Sequence, residues 1–108
     1  MLAFAALLCG AAALQPTWQS LNLPQPIVQA LTSTDDYATP TAVQAETIPV
    51  ALDDNDCLIH AQTGSGKTLA YLAPLFARVD ASRQTTQAVV IVPTRELGLQ
   101  VARVARRL

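Results

Sequence analysis

Positive charge is missing from the first 66 residues of this 108-residue chain. The first basic side chain is Lys67, and Arg78, Arg83, Arg95, Arg103, Arg106 and Arg107 all follow it. The net charge of −1 gives no overall basic signature, so any surface for a polyanion belongs to the C-terminal part. Cysteine is scarce as well. Cys9 and Cys57 are the only two, too few to suggest a disulfide framework, and Cys57, set in an apolar run, is expected to be a reduced core residue. A long apolar run is also lacking. The opening "MLAFAALLCGAAALQP" has no charged side chain but is shorter than the roughly 20 apolar residues a helix needs to cross a bilayer, so no stable membrane span is expected. There is no internal repeat, and nothing of low complexity beyond the Ala-rich start.

Residues 1–14 read as an apolar tail. They are similar to the core of a secretory signal followed by small residues, without the positive charges that open such a signal. "AAALQP" is also similar to the cleavage site of plastid-bound proteins in algae with secondary plastids, yet no Ser- and Arg-rich transit segment follows it. A targeting segment, a plain hydrophobic tail and a mis-assigned start all remain open.

Beyond the tail, Pro16, Pro24 and Pro26 punctuate the chain, and "IVQAL" after Pro26 suits a short helix. "TSTDDYATP" breaks it, and "TAVQAETIPVAL" reads as a second helix with Thr41 as its N-cap. "DDND" at 53–56 is a polar turn, and "CLIHA" is a short apolar run that suits a buried parallel strand. Leu69, Leu72, Phe76 and Val79 then recur at helical spacing and are expected to face a core, with Pro74 kinking their helix. "ASRQTTQ" is a loop, "AVVIV" at 88–92 a second strand, and a last helix from about Thr94 places Leu97, Val101, Val104 and Leu108 on one face. Strands alternating with helices predict an α/β plan with a parallel sheet.

Between the first strand and its helix stands "AQTGSGKT", residues 61–68. The general phosphate-cradling pattern is Gly, four residues, then Gly-Lys-Ser/Thr. Here Ala61 replaces the first Gly, while Gly66, Lys67 and Thr68 keep the rest, with Gly64 as a further small residue. Small residues let backbone N–H groups wrap an anion, and the helix that follows points its partially positive N-terminus at it. In this pattern Lys67 reaches the β- and γ-phosphates and the Thr68 hydroxyl binds Mg²⁺. A glycine-rich surface turn would not account for Lys67 and Thr68 opening an amphipathic helix.

Three segments together resemble the DEAD-box RNA helicases. "DYATPTAVQ", residues 36–44, is similar to the Q motif of that family, "AQTGSGKT" to its motif I including the Ala start, and "PTRELGLQ", residues 93–100, to its motif Ia. The likeness runs from about Trp18 to Leu108. It implies a truncated RecA-like P-loop domain with a parallel sheet: a Q-motif region over 15–52 and the N-terminal part of the ATP-binding domain over 53–108. It implies ATP and Mg²⁺ as cofactors. Trp18, Tyr37, Thr39, Gln44 and the cradle residues Ala61, Gln62, Thr63, Gly64, Ser65, Gly66, Lys67 and Thr68 then lie at the nucleotide, Lys67 and Thr68 being the catalytic pair. A Gln side chain offers both an acceptor and donors, as an adenine edge does. The matching Gln reads adenine in the family, which implies that Gln44 selects ATP. Tyr37 matches an aromatic that packs on the base. Trp18 falls near an upstream aromatic, one residue further from Gln44 than usual, and Asp36 stands where Gly is common. Pro93, Thr94 and Arg95 match residues that touch the single-stranded RNA backbone, contacts blind to sequence; Arg95 could equally pair with a nearby acid.

Arg103, Arg106 and Arg107 are expected on solvated surface, and His60 is given no role. The Asp-Glu-Ala-Asp segment that names the family does not occur here, nor does the Ser-Ala-Thr motif. Two expectations follow: part of an ATP-dependent RNA helicase whose remaining chain is its partner, or a non-catalytic nucleotide- and RNA-binding remnant. The compartment, whether cytoplasmic, nuclear or plastid, stays open.

Overall fold

The computed structural model describes residues 14–108. The apolar tail and Cys9 therefore lie outside the described residues, apart from Leu14, which is exposed. Among the described residues the regular elements are four α-helices and two 3-10 turns: a turn at Trp18–Leu21, α1 at Gln25–Thr32, a turn at Asp35–Tyr37, α2 at Ala42–Leu52, α3 at Lys67–Ala77 and α4 at Arg95–Ala105.

Each helix starts where local chemistry allows it. Pro26 sits in the first turn of α1, where a missing N–H leaves no bond unmade. α2 opens on a capping box: the Thr41 hydroxyl accepts from the Gln44 N–H at 3.4 Å, and the Gln44 Oε1 accepts from the Thr41 N–H at 2.8 Å. Thr94 caps α4 by accepting from the Leu97 N–H at 3.2 Å. Pro49 and Pro74 lie inside α2 and α3, yet both helices run through them. An internal proline costs about 3 kcal/mol; burial of Pro74 and of its neighbours Leu72 and Ala73 offsets that cost in α3.

The core is built by the N-terminal turn and the first three helices. Trp18, Leu21, Leu23, Ile27, Val28 and Leu31 close against Ile48 of α2 and Leu69 and Ala73 of α3. α2 and α3 form the most extensive helix pair. α4 joins the edge of this layer through buried Val101, with Val104 and Leu108 half-buried against the core. Leu97 on the same face is exposed, and so is Val79, which lies beyond the end of α3 rather than in the core.

The expected parallel sheet is not present among the described residues. Neither 57–61 nor 88–92 forms a strand. Leu58 is 99% exposed and Ile91 91%, and Cys57, expected in the core, is exposed too. A strand is stabilised by the ladder it shares with its neighbours and by cross-strand side-chain pairs, and these two runs make no such pairing with each other. The helical layer nevertheless shows them an apolar wall. A cavity of about 540 Å³ opens between α3, the second run and α4, lined by Leu72, Phe76, Val90, Val92 and Val101 among others.

Candidate functional site

The cradle is the loop between the first apolar run and α3. Two of its residues need a backbone conformation that favours glycine: Gly64 at φ 82° and Gly66 at φ 90°. Their surroundings differ. Around Gly64 a Cβ would meet nothing within 4 Å, whereas at Gly66 it would run into the Gln44 amide nitrogen and come within 3.1 Å of the Thr41 hydroxyl. Gly66 thus lets the start of α3 lie directly against the start of α2.

Hydrogen bonds fasten that approach. The Thr41 hydroxyl donates to the Ser65 carbonyl at 2.8 Å, and the Gln44 Nε2 donates to the Gly66 carbonyl at 3.1 Å. Gln44 is 3% exposed and is the one polar residue in the buried set among the described residues. Its amide orientation follows from its partners, since Oε1 faces an N–H and Nε2 faces a carbonyl. One amide N–H and one lone pair of Gln44 stay uncommitted.

Lys67, at the first position of α3, turns its ammonium back onto the cradle, donating to the carbonyls of Ala61 and of Gln62, the latter at 2.9 Å. Thr68 is half-buried beside it, while Gln62, Thr63 and Gly64 are exposed. The Ser65 hydroxyl is buried and has no hydrogen-bond partner among the described residues. A cation, an orphaned hydroxyl and a helix N-terminus therefore converge on one loop. That donor set fits a phosphate chain.

The aromatic candidates belong to the N-terminal part of the helical layer. Trp18 is 1% exposed, so it belongs to the core and reaches the site indirectly: its indole N–H donates to the Tyr37 carbonyl at 2.7 Å. Tyr37 is half-buried and packs on the core edge. Thr39 is exposed, next to buried Pro40. Arg107 is exposed, as expected, and on that surface it is engaged. Its guanidinium donates to Asp36 Oδ2 at 3.0 Å, reaches the Tyr37 hydroxyl at 3.4 Å and lies 5.9 Å from the Tyr37 ring centroid. The Tyr37 hydroxyl, with Asp36 beside it, holds the Arg107 pKa above its ordinary value. Sequence pattern could not have shown this contact, which joins residues 71 positions apart.

The third candidate group lies at the start of α4. Pro93, Thr94 and Arg95 are all exposed, and Arg95 makes no ion pair among the described residues. Arg103 and Arg106 are exposed along the same helix and just past it, and His60 is exposed ahead of the cradle. No helix among the described residues is long and apolar enough to cross a membrane.

Comparison with known proteins gives the family. The family model described as DEAD/DEAH box helicase matches residues 41–108, from the cap of α2 to the last residue. A rice protein named DEAD-box ATP-dependent RNA helicase 58, chloroplastic, is 59% identical over 70 residues, which are 65% of this chain and 16% of that one. The Klebsiella pneumoniae ATP-dependent RNA helicase DeaD is 47% identical over 88 residues, 82% of this chain and 14% of its own. Among solved structures, a DEAD box protein from the hyperthermophile Methanococcus jannaschii superposes with a TM-score of 0.76 at 34% identity, over 85% of this chain and 25% of that one. The chain thus spans about one sixth or less of the curated relatives it matches.

Proposed function

The chain belongs to the DEAD/DEAH box helicase family, and from that membership we propose that it is the nucleotide-gripping part of the first RecA-like domain of an ATP-dependent RNA helicase. In this reading the runs at 57–61 and 88–92 are two strands of a parallel sheet whose other members lie outside residues 14–108. The apolar wall between α3 and α4 is the surface that sheet covers.

The observation that carries the reading is the latch between α2 and the cradle, made by Thr41 on Ser65 and Gln44 on Gly66. Each bond joins a residue of the segment 36–44 to one of the cradle, and Gln44 is the one proposed for the base. Gln44 keeps one donor and one acceptor for an adenine edge, and Tyr37 supplies a ring for the base to pack on. Backbone N–H groups of 62–66 and the N-terminus of α3 receive the phosphates, and the Ser65 hydroxyl finds there the partner it lacks. Lys67 moves its ammonium from the Ala61 and Gln62 carbonyls to the β- and γ-phosphates. The Thr68 hydroxyl would hold Mg²⁺, which would neutralise charge on those phosphates. Thr94 and Arg95, with Pro93, grip the RNA backbone without reading sequence.

Equilibrium binding of ATP tests this. In the natural full-length polypeptide, Lys67→Ala is expected to weaken ATP binding by at least tenfold, about 1.4 kcal/mol. Gln44→Ala is expected to erase the preference for ATP over GTP and, because it also releases the Gly66 carbonyl, to weaken inorganic tripolyphosphate binding by less than it weakens ATP binding. Unchanged ATP affinity in both variants would sink the reading. ATP binding without RNA-stimulated hydrolysis would select the binding-only alternative. For the address, the rice relative's description favours the plastid; a native N-terminus beyond the apolar start is the expected result, and one retaining Met1 argues against it.

A further inference from the structure

Tyr37 is held at two points, and the two holds come from opposite ends of the chain. Its backbone is fixed from beneath by the Trp18 indole, which is buried and cannot move without disturbing the core. Its ring is fixed from outside by Arg107, which reaches both the phenol oxygen and the neighbouring Asp36 carboxylate. A half-buried phenol would otherwise be free to swing about χ1 and χ2 at the protein edge. The guanidinium suits this task because it is planar, donates in several directions and sits well against an aromatic ring.

We propose that Arg107 is a positioning residue for the nucleobase: with Asp36 as its second anchor, it fixes the Tyr37 ring as the platform on which the base of the nucleotide packs. The inference rests on the nucleotide reading above and adds a residue outside all three motifs. It also assigns Asp36 a part, as the acid that keeps the guanidinium directed at the phenol. Arg107 itself lies just past α4, so the platform is tied to the end of that helix.

The test compares a ligand that has a base with one that has none. Affinities for ATP and for inorganic tripolyphosphate are measured by equilibrium titration in the natural full-length polypeptide carrying Arg107→Ala, Asp36→Ala, both together, or Arg107→Lys. Loss of an exposed cation–aromatic contact and its ion pair is expected to weaken ATP binding about three- to tenfold. Tripolyphosphate affinity stays unchanged, because the cradle is untouched. The double variant is no weaker than the worse single variant, since both substitutions release the same ring, and Arg107→Lys recovers part of the loss. Unchanged or tighter ATP binding in Arg107→Ala overturns the proposal. Equal weakening of ATP and tripolyphosphate overturns it as well, because a general structural role would move both. Lys67→Ala serves as the reference: if it leaves both ligands bound as before, the nucleotide reading has failed, whereas loss with Lys67→Ala but not with Arg107→Ala removes only the role of Arg107.

Discussion

The helical layer and the two apolar runs are built from similarly hydrophobic residues, yet one is buried and the other lies open. Ile48, Leu69 and Leu72 are sealed in the core, while Leu58, Val89 and Ile91 stand in solvent. The difference is where each finds its partners. A helix satisfies its backbone within itself, so α1, α2 and α3 need only meet one another, and they are neighbours in sequence. A strand satisfies half of its backbone elsewhere, and the runs at 57–61 and 88–92 have no ladder with each other.

The sharpest way to test that contrast is to truncate one large side chain in each region. Trp18→Ala is expected to destabilise the fold by about 3–5 kcal/mol, because it leaves a large cavity and removes the hydrogen bond to the Tyr37 carbonyl. Ile91→Ala in the 108-residue chain is expected to change stability by less than about 0.5 kcal/mol, as an exposed substitution does. Chemical denaturation followed by circular dichroism measures both. Where the sheet proposed above completes around this run, the Ile91→Ala cost is expected to rise to about 2–4 kcal/mol, because such a sheet would bury that side chain. An Ile91→Ala effect that stays small in the natural full-length polypeptide would mean that no sheet covers this run.

Next in size is the junction where the helical layer meets the cradle. Gly66→Ala combines an unfavourable positive φ with a clash against Gln44, so a loss of about 2–3 kcal/mol and of ATP binding is expected. Gly64→Ala bears only the positive φ, in open space, and is expected to cost about 1–2 kcal/mol. Thermal unfolding of the two variants side by side measures the gap. Equal costs would mean that the close approach of α2 and α3 is not what Gly66 is for.

The same division separates what the residues reveal in order from what only the assembled chain reveals. The capping box Thr41–Gln44, the cap Thr94 and the cradle all depend on residues a few positions apart, and they stand where spacing and side-chain chemistry place them. The turn at Trp18–Leu21 is also local, but one 3-10 turn has too few residues to show a period. Burial of Cys57 and the strands could not be judged locally, because both depend on partners from elsewhere. Arg107 is the plainest case. In sequence it is one of three arginines near the end of a helix, and only the fold brings it to Asp36 and Tyr37.

A smaller effect is expected at the start of α4, where the open run hands over to a helix. Thr94→Ala removes the acceptor for the Leu97 N–H, and N-cap losses cost about 1 kcal/mol. Fraying there should show as faster amide hydrogen exchange at 95–98 with α3 unchanged. If α3 loosens equally, the two helices form one cooperative unit and the contrast between regions is blunter than their burial suggests.

The smallest effect belongs to the loop that links the two regions. The Asp80 carboxylate accepts from the Ser82 hydroxyl at 2.6 Å and from the Ser82 N–H at 2.9 Å. The hydroxyl bond first and the backbone bond second hold its pKa below the ordinary 3.8. A depressed pKa in the folded state means that the charged form is the one the fold prefers. The contribution is therefore fully present above 3.8, and it is lost as pH falls through the lower folded value. Because the group is fully exposed, the gain in stability is slight, and the loop rather than the core should register it. An NMR titration of the Asp80 carboxyl should give a midpoint below 3.8, moving back toward 3.8 in Ser82→Ala. A midpoint unaffected by Ser82→Ala would show that the loop is not held by this pair, leaving the Gln87 amide, which donates to the Asp80 carbonyl at 2.7 Å, as the tether between α3 and the second run.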